Sequence, residues 1–200
     1  MIISSSRRFA ILAENINFIE DNISSLSLNC IIHEKLMTRT IFDVSGKSTS
    51  WLRIRTGDVD CMGNPITTAS LIDKTICQAG DIPNKKSIDL QLTDYYDAVA
   101  FFKSMGLKIE SEQETKRTKY TCHYDGIKYT ICFDIWPHLE KYIFVSITPA
   151  TNADPEDLDG FVETTGIYDY CSNNFSTDID RAYELETGKI ARAYEVLRFD

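Results

Sequence analysis

No stretch of the chain reaches the ~18 consecutive apolar residues that a membrane-crossing helix needs, so no such span is expected. The opening residues, Met1-Ile-Ile-Ser-Ser-Ser-Arg-Arg, carry charge after their apolar residues and have no apolar h-region. They do not read as a secretory leader, and a cytoplasmic location is expected. The six cysteines, Cys30, Cys61, Cys77, Cys122, Cys132 and Cys171, include no C-x-x-C spacing, and His33, His123 and His138 complete no zinc pattern with them. Free thiols, buried or half-buried, are expected in a reducing compartment, with no nucleophile among them. Internal repeats and low-complexity tracts are missing too. So is a basic excess. The formal charge of −9 argues, at first sight, against phosphate ligands and duplex nucleic acid.

That charge is unevenly spread. Residues 151–200 hold 12 Asp/Glu against 4 Lys/Arg, whereas residues 1–150 hold 18 against 17. The acidity belongs to the last quarter, and the body of the chain is nearly neutral. At 200 residues and 43% apolar, one core-bearing domain over 1–200 is expected, with its core in about 7–149 and an acidic helical elaboration in 150–200.

Strand signals dominate the core. Asp125-Gly126, between β-rich runs, is a type I′ hairpin signature, and pairing across it sets Tyr124 opposite Ile127 and Cys122 opposite Tyr129. Ser87–Leu92 alternates Ile88, Leu90 and Leu92 with Ser87, Asp89 and Gln91, a strand feeding a helix. That helix is capped by Thr93 or Asp94, shows Tyr95, Ala98, Val99, Phe102 and Met105 on one face, and stops at Gly106. Further strands are expected at Arg8–Ala13, Arg39–Val44, Ser50–Arg55, Ala69–Ile76 and 141–148, with a turn-rich loop from Gly57 to Pro65. About eight strands and few helices make an α+β antiparallel sheet able to close or nearly close. After Pro149, Thr151–Gly160 reads as a polar acidic connector. Ser176 or Thr177 then caps a helical stretch bearing Ile179, Tyr183, Ile190, Tyr194 and Leu197, a cover for the sheet.

The cations of the core occupy alternating strand positions. Arg53 and Arg55 point to one face, Leu52 and Ile54 to the other; Lys74 is on the next strand, and Arg117 and Lys119 are again two apart. Cations gathered from separate strands on one surface repel unless an anion neutralises them. For Lys119 alone, a solvated outer face is the plainer reading. For Arg53 and Arg55, flanked by buried-type Trp51, Leu52 and Ile54, a ligand-facing role is preferred. Trp51 is expected in the core or at a rim, and Trp136-Pro137 as a turn before the last strand.

The string Trp51-Leu-Arg-Ile-Arg55, then Lys74, then Tyr95–Gly106, then Lys116-Arg-Thr-Lys-Tyr120, then Phe133-Asp-Ile-Trp-Pro137, resembles the CYTH superfamily in order and spacing over residues 7–149. These are the triphosphate tunnel proteins, including class IV adenylyl cyclases, thiamine triphosphatases and inorganic triphosphatases. The resemblance implies an eight-stranded antiparallel tunnel whose cations hold a triphosphate. Arg53, Arg55, Lys74 and Arg117 would form the phosphate-binding set, with Lys116 or Lys119 as additions. The family's metal-holding acids are largely missing. Its first strand carries E-x-E-x-K where Arg7-Arg-Phe-Ala-Ile11 stands here, and its last carries E-x-E near Phe144 and Ser146. Asp134 and Asp89 are the surviving candidate metal ligands, and Arg7 or Arg8 adds cationic charge where acids would stand.

Metal-assisted phosphoryl transfer depends on Mg²⁺ or Mn²⁺ held by carboxylates, whereas arginine binds phosphate without help. The expected function is therefore binding of a nucleotide or oligophosphate anion, with little or no turnover and no cofactor required. One alternative is a working Mg²⁺- or Mn²⁺-dependent adenylyl cyclase or triphosphatase using Asp134, Asp89 and Glu14 or Glu140. Another is a protein-interaction module that uses the acidic C-terminal quarter.

Overall fold

The computed structural model describes residues 6–26, 28–44, 50–60, 62–75, 84–150, 154–171 and 176–200. Its framework is one sheet of β1 (Arg7–Leu12), β2 (Asn29–Asp43), β3 (Ser50–Val59), β4 (Pro65–Thr75), β5 (Asn84–Leu92), β6 (Ile109–Tyr124), β7 (Ile127–Ile135) and β8 (Tyr142–Pro149). The strand order is β1-β8-β7-β6-β2-β3-β4-β5, every pair antiparallel, with a two-residue β9 (Val196–Leu197) added in parallel to β6. β1 and β5 are the two edges, and no hydrogen-bonded ladder joins them among the described residues. The sheet nevertheless curls around one cavity, to which all eight long strands contribute lining.

Two of the apolar cores lie outside this curl. Phe9 and Ile11 of β1, Ile131 and Phe133 of β7, and Val145 and Ile147 of β8 pack outward against α1 (Ile16–Ser24) and α3 (Pro155–Thr164). On the other flank Phe42, Leu52, Ile54 and Ala69 pack against α2 (Tyr95–Ser104). Because strand side chains alternate, committing one set outward commits the other set inward. Those inward positions are where the polar and charged residues of the sequence fall.

Several expectations are sharpened or corrected. The hairpin pairs as expected, Tyr124 with Ile127 and Cys122 with Tyr129. Asp94, not Thr93, caps α2, its carboxylate accepting from the Asp97 amide. Met105 is exposed, although Tyr95, Ala98, Val99 and Phe102 pack as expected. Arg39–Val44 is the end of a 15-residue strand. The loop expected from Gly57 is strand as far as Val59, and β4 starts at Pro65. Helix α1 was not expected. Nor was α3, because Thr151–Gly160 has a loop-like composition. Asp154 precedes Pro155 at the first turn, Glu156 and Asp157 complement the helix dipole, and Leu158, Phe161 and Val162 fall on one buried stripe. The C-terminal helix, α4 (Ile179–Thr187), is capped by Asp178 and ends at Gly188; Ile190, Tyr194 and Leu197 lie beyond it, in irregular chain and β9.

Residues from this C-terminal stretch, Ala182, Tyr183, Ala191 and Leu197, pack with Trp136, Leu139 and Phe144. Part of the acidity of the last quarter ties it to the body of the fold, Asp159 pairing with Arg7 and Glu186 with Lys141, while Asp180 pairs with Arg192 within the C-terminal stretch itself. Cys30 is exposed, Cys122 and Cys132 are buried and Cys171 is half-buried, all free, while Cys61 and Cys77 lie outside the described residues. No helix among the described residues is long and apolar enough to cross a membrane.

Candidate functional site

The cavity inside the curl has a volume of about 620 Å³. Register fixes its layers. Arg39 of β2 sits opposite Arg55 of β3 on one side and Gln113 of β6 on the other. One layer along, Ile41 faces Arg53, which faces Ser70, which faces Asp89 on the edge strand. Arg117 of β6 lies opposite Asp134 of β7, and Lys119 opposite Cys132. Arg53, Arg55, Arg117, Lys119, Asp89 and Asp134 therefore share one cavity. Lys119 corrects the solvated reading, being buried inside. Lys74 lies on β4 opposite Lys85, and its side chain is outside the described residues. Lys116 points elsewhere, its ammonium 4.5 Å from the Phe199 ring. Of the two N-terminal arginines, Arg8 lines the cavity, whereas Arg7 pairs outside it with Asp159.

Two residues escaped the sequence reading. Arg39 is buried beside Arg53 and Arg55, its guanidinium 4.3 Å from the centroid of the Trp136 ring and one Nη donating to the Thr115 hydroxyl. The signal was available: Arg39 and Ile41 alternate on β2 as Arg53 and Arg55 do on β3. Asp58 is the other. It accepts from Arg117 Nη1 at 2.7 Å and Lys119 Nζ at 3.1 Å, with Arg55 at 3.4 Å. It reaches them because the β3–β4 register shifts between Arg55 and Asp58. Gly57 supplies the bend, with φ +91°, and a Cβ there would sit 2.6 Å from the Leu36 carbonyl oxygen. A Gly57→Ala change is therefore expected to cost about 2–3 kcal/mol through backbone strain and clash, and to misplace Asp58. Chemical denaturation would measure it; a loss under 0.5 kcal/mol, on the order of an ordinary surface change, would contradict this role.

The cations divide into two groups. Arg117 binds Asp134 bidentately, both contacts 2.6 Å, and Asp58 on its far side. Burial opposes its charge, yet Asp134 and Asp58 outweigh that and hold its pKa above the ordinary arginine value. Arg39, Arg53 and Arg55 are less well compensated: Arg55 reaches Asp58 only at 3.4 Å, and Arg53 is opposed only by the field of Asp89 and a bond to Ser70. Burial first, then repulsion from a neighbouring arginine (Arg53 for Arg39, Arg55 for Arg53, Arg117 for Arg55), lowers all three, Arg53 to about 9. Each keeps a buried Nε with no hydrogen-bond partner. Guanidinium seldom gives up its proton, so this environment amounts to a local deficit of negative charge.

The inward positions of β1 and β8, where the resemblance would place acids, hold Arg8, Phe144, Ser146 and Thr148. Glu14 and Glu140 are exposed and outside the cavity lining. Asp134 has both oxygens on Arg117, and Asp89 accepts from the Ser70 hydroxyl. Among the described residues no three His, Cys, Asp or Glu come together in a metal-binding group.

No protein-family profile and no curated protein matches the sequence. Solved structures do. A candidate adenylyl cyclase from Hippeastrum, described as having a dominant triphosphatase activity, superposes with TM-score 0.54 at 12% identity, covering 92% of this chain and 96% of that one. A candidate adenylate cyclase from Vibrio parahaemolyticus gives 0.54 at 9% identity, over 83% and 87%. The chain has the CYTH, or triphosphate tunnel, fold. A structure of the Schizosaccharomyces pombe Mediator head module also matches, with TM-score 0.51 at 12% identity over 84% and 95%. The CYTH fold thus does not fix an activity here, and function rests on what lines the tunnel.

Proposed function

We propose that this chain, acting as a single domain, binds a nucleotide or oligophosphate anion in its tunnel and turns it over weakly or not at all. Arg39, Arg53 and Arg55 are the primary phosphate ligands, with Lys74 a further member, while Arg117 and Lys119 border the site with their charge balanced by Asp58 and Asp134. The observation that carries this reading is the buried, partnerless Nε on each of the three arginines. A buried donor left unpaired costs roughly 1–3 kcal/mol, and more when charged. A multivalent anion is the ligand that removes that cost at all three at once.

The donor set does not suit a resident Mg²⁺ or Mn²⁺. Such ions need several oxygens in fixed geometry, and Asp134 and Asp58 already serve buried cations. Isothermal titration with ATP and with tripolyphosphate is expected to show binding that is unchanged by EDTA and weakens as salt rises. Bound anion is also expected to raise the melting temperature, with the logarithm of its concentration once that exceeds the Kd. Absence of binding to both, or binding only with Mg²⁺, would overturn the proposal. Product formation with Mg²⁺ or Mn²⁺, lost in Asp134→Asn, would overturn its second half.

A further inference from the structure

Helix α2 roofs only part of the sheet it rests on. Two rows of outward side chains run across β3, β4 and β5: Leu52, Leu71 and Ile88 in one, Ile54, Ala69 and Leu90 in the other. Where α2 packs, Leu52, Ile54 and Ala69 are buried. Towards the edge the cover ends. Leu71 is 42% exposed, Ile88 66% and Leu90 61%, an apolar shelf on the outer side of the tunnel wall. Helix α2 itself presents Phe101 and Met105, 59% and 61% exposed. Four residues apart, these two are neighbours on the helix surface and form a short ridge. The Phe101 ring touches Phe102, which packs on Phe42, and Phe42 is in register with Leu52 of the first row. The ridge therefore stands level with the row that ends in Leu71 and Ile88.

Single exposed apolar residues are ordinary, but a gathered set is not. The shelf also lies on β5, an edge strand, and an open apolar edge invites uncontrolled pairing unless something defined covers it. At about 200 Å² for a large side chain, the five residues expose roughly 600 Å², the upper end of what a lone monomer carries. Two such faces together would bury about 1,200 Å², the lower bound of a specific protein interface. A ridge and a shelf on one face are self-complementary under a two-fold axis, because each copy supplies what the other lacks and both contacts form at once. We propose that this face is the interface of a two-fold dimer of this chain, with Phe101 and Met105 of each copy seated on Leu71, Ile88 and Leu90 of the other.

Sedimentation velocity of the full chain across the micromolar range tests this. A reversible monomer–dimer equilibrium is expected, with a Kd of roughly 1–50 μM, since an interface of this size lies at the weak end. Ile88→Lys and Phe101→Glu are each expected to raise that Kd about thirtyfold or more, because every dimer would then bury two unpaired charges. Both positions are exposed in a single copy, so the dilute variants should melt within about 2 °C of the parent. Should either fail to fold, Leu90→Lys or Met105→Glu takes its place. Mixing the two variants is expected to restore most of the affinity, since one contact then joins opposite charges and the other is unaltered. A chain that stays monomeric would overturn the proposal. Flotation of that monomer with phosphatidylcholine vesicles, lost in Ile88→Lys, would give the shelf to a membrane instead. A dimer indifferent to both variants would place the interface elsewhere, and losses that mixing does not repair would overturn the seating of ridge on shelf.

Discussion

Replacing Arg117 with methionine is expected to destabilise the protein by about 3–5 kcal/mol at neutral pH, the cost of stranding buried carboxylates. Methionine matches much of the arginine stem, so lost volume contributes little. The loss comes from Asp134, which forfeits two hydrogen bonds, and from Asp58, which forfeits its shortest ion pair. Burial pushes the Asp58 carboxyl up, but Arg117, Arg55 and Lys119 together hold it below its ordinary value. A carboxyl with a depressed folded pKa adds stability that is complete above its unfolded value, ~4, and is lost as pH falls through the folded value. Removing Arg117 lets the Asp58 pKa rise. Protonation then relieves the variant at a higher pH than it weakens the parent protein. The stability gap between the two should therefore narrow between pH 7 and pH 4, as followed by denaturant melts. A gap that stays constant across that range would mean packing, not charge, is what Arg117 contributes.

The outward half of the fold was far more legible than the inward half. Asp125-Gly126 and the Ser87–Leu92 alternation announced strands because local turn chemistry and period suffice. α3 was hidden because Gly160 and four acids in Thr151–Gly160 resemble a loop, and only tertiary packing of Leu158, Phe161 and Val162 reveals the helix. Alternation also does not say which face is buried. On β5 the apolar set faces out and stays uncovered, Ile88 at 66% and Leu90 at 61% exposure, while Asp89 lines the cavity. In the site, Arg53, Arg55 and Arg117 were visible as an alternating cationic pattern. Asp58 was not, because its direction depends on a bulge at Gly57 that no period predicts. Arg117 illustrates the remaining limit. Its neighbours in sequence, Lys116 and Lys119, are also cations, and only register with β7 gives Arg117 to Asp134.

Removing a cation from the other group is expected to have the opposite effect on the ligand-free protein. Arg53→Met should raise the melting temperature by about 2–4 °C, the shift that roughly 1 kcal/mol produces in a chain of this size. Arg53 is disfavoured in the empty tunnel by burial first and by Arg55 second, with Asp89 and one 3.2 Å bond to Ser70 opposing. Exchanging a poorly compensated buried ion for an apolar chain of similar volume is commonly neutral or stabilising. The same exchange removes a charge-assisted contact of ~1.5–3 kcal/mol from the bound state, so tripolyphosphate affinity should fall tenfold to about a hundredfold. The two measurements move against each other: the variant melts higher when empty and gains less from added anion. A variant that melts lower and binds tripolyphosphate as the parent does would show that Arg53 is a structural residue and that its free Nε does not mark a ligand site. The contrast with Arg117→Met is the sharper test. Both remove a buried arginine from one tunnel, yet the change in empty-state stability should differ in sign, because Arg117 is held by carboxylates and Arg53 lies in the cluster left short of them.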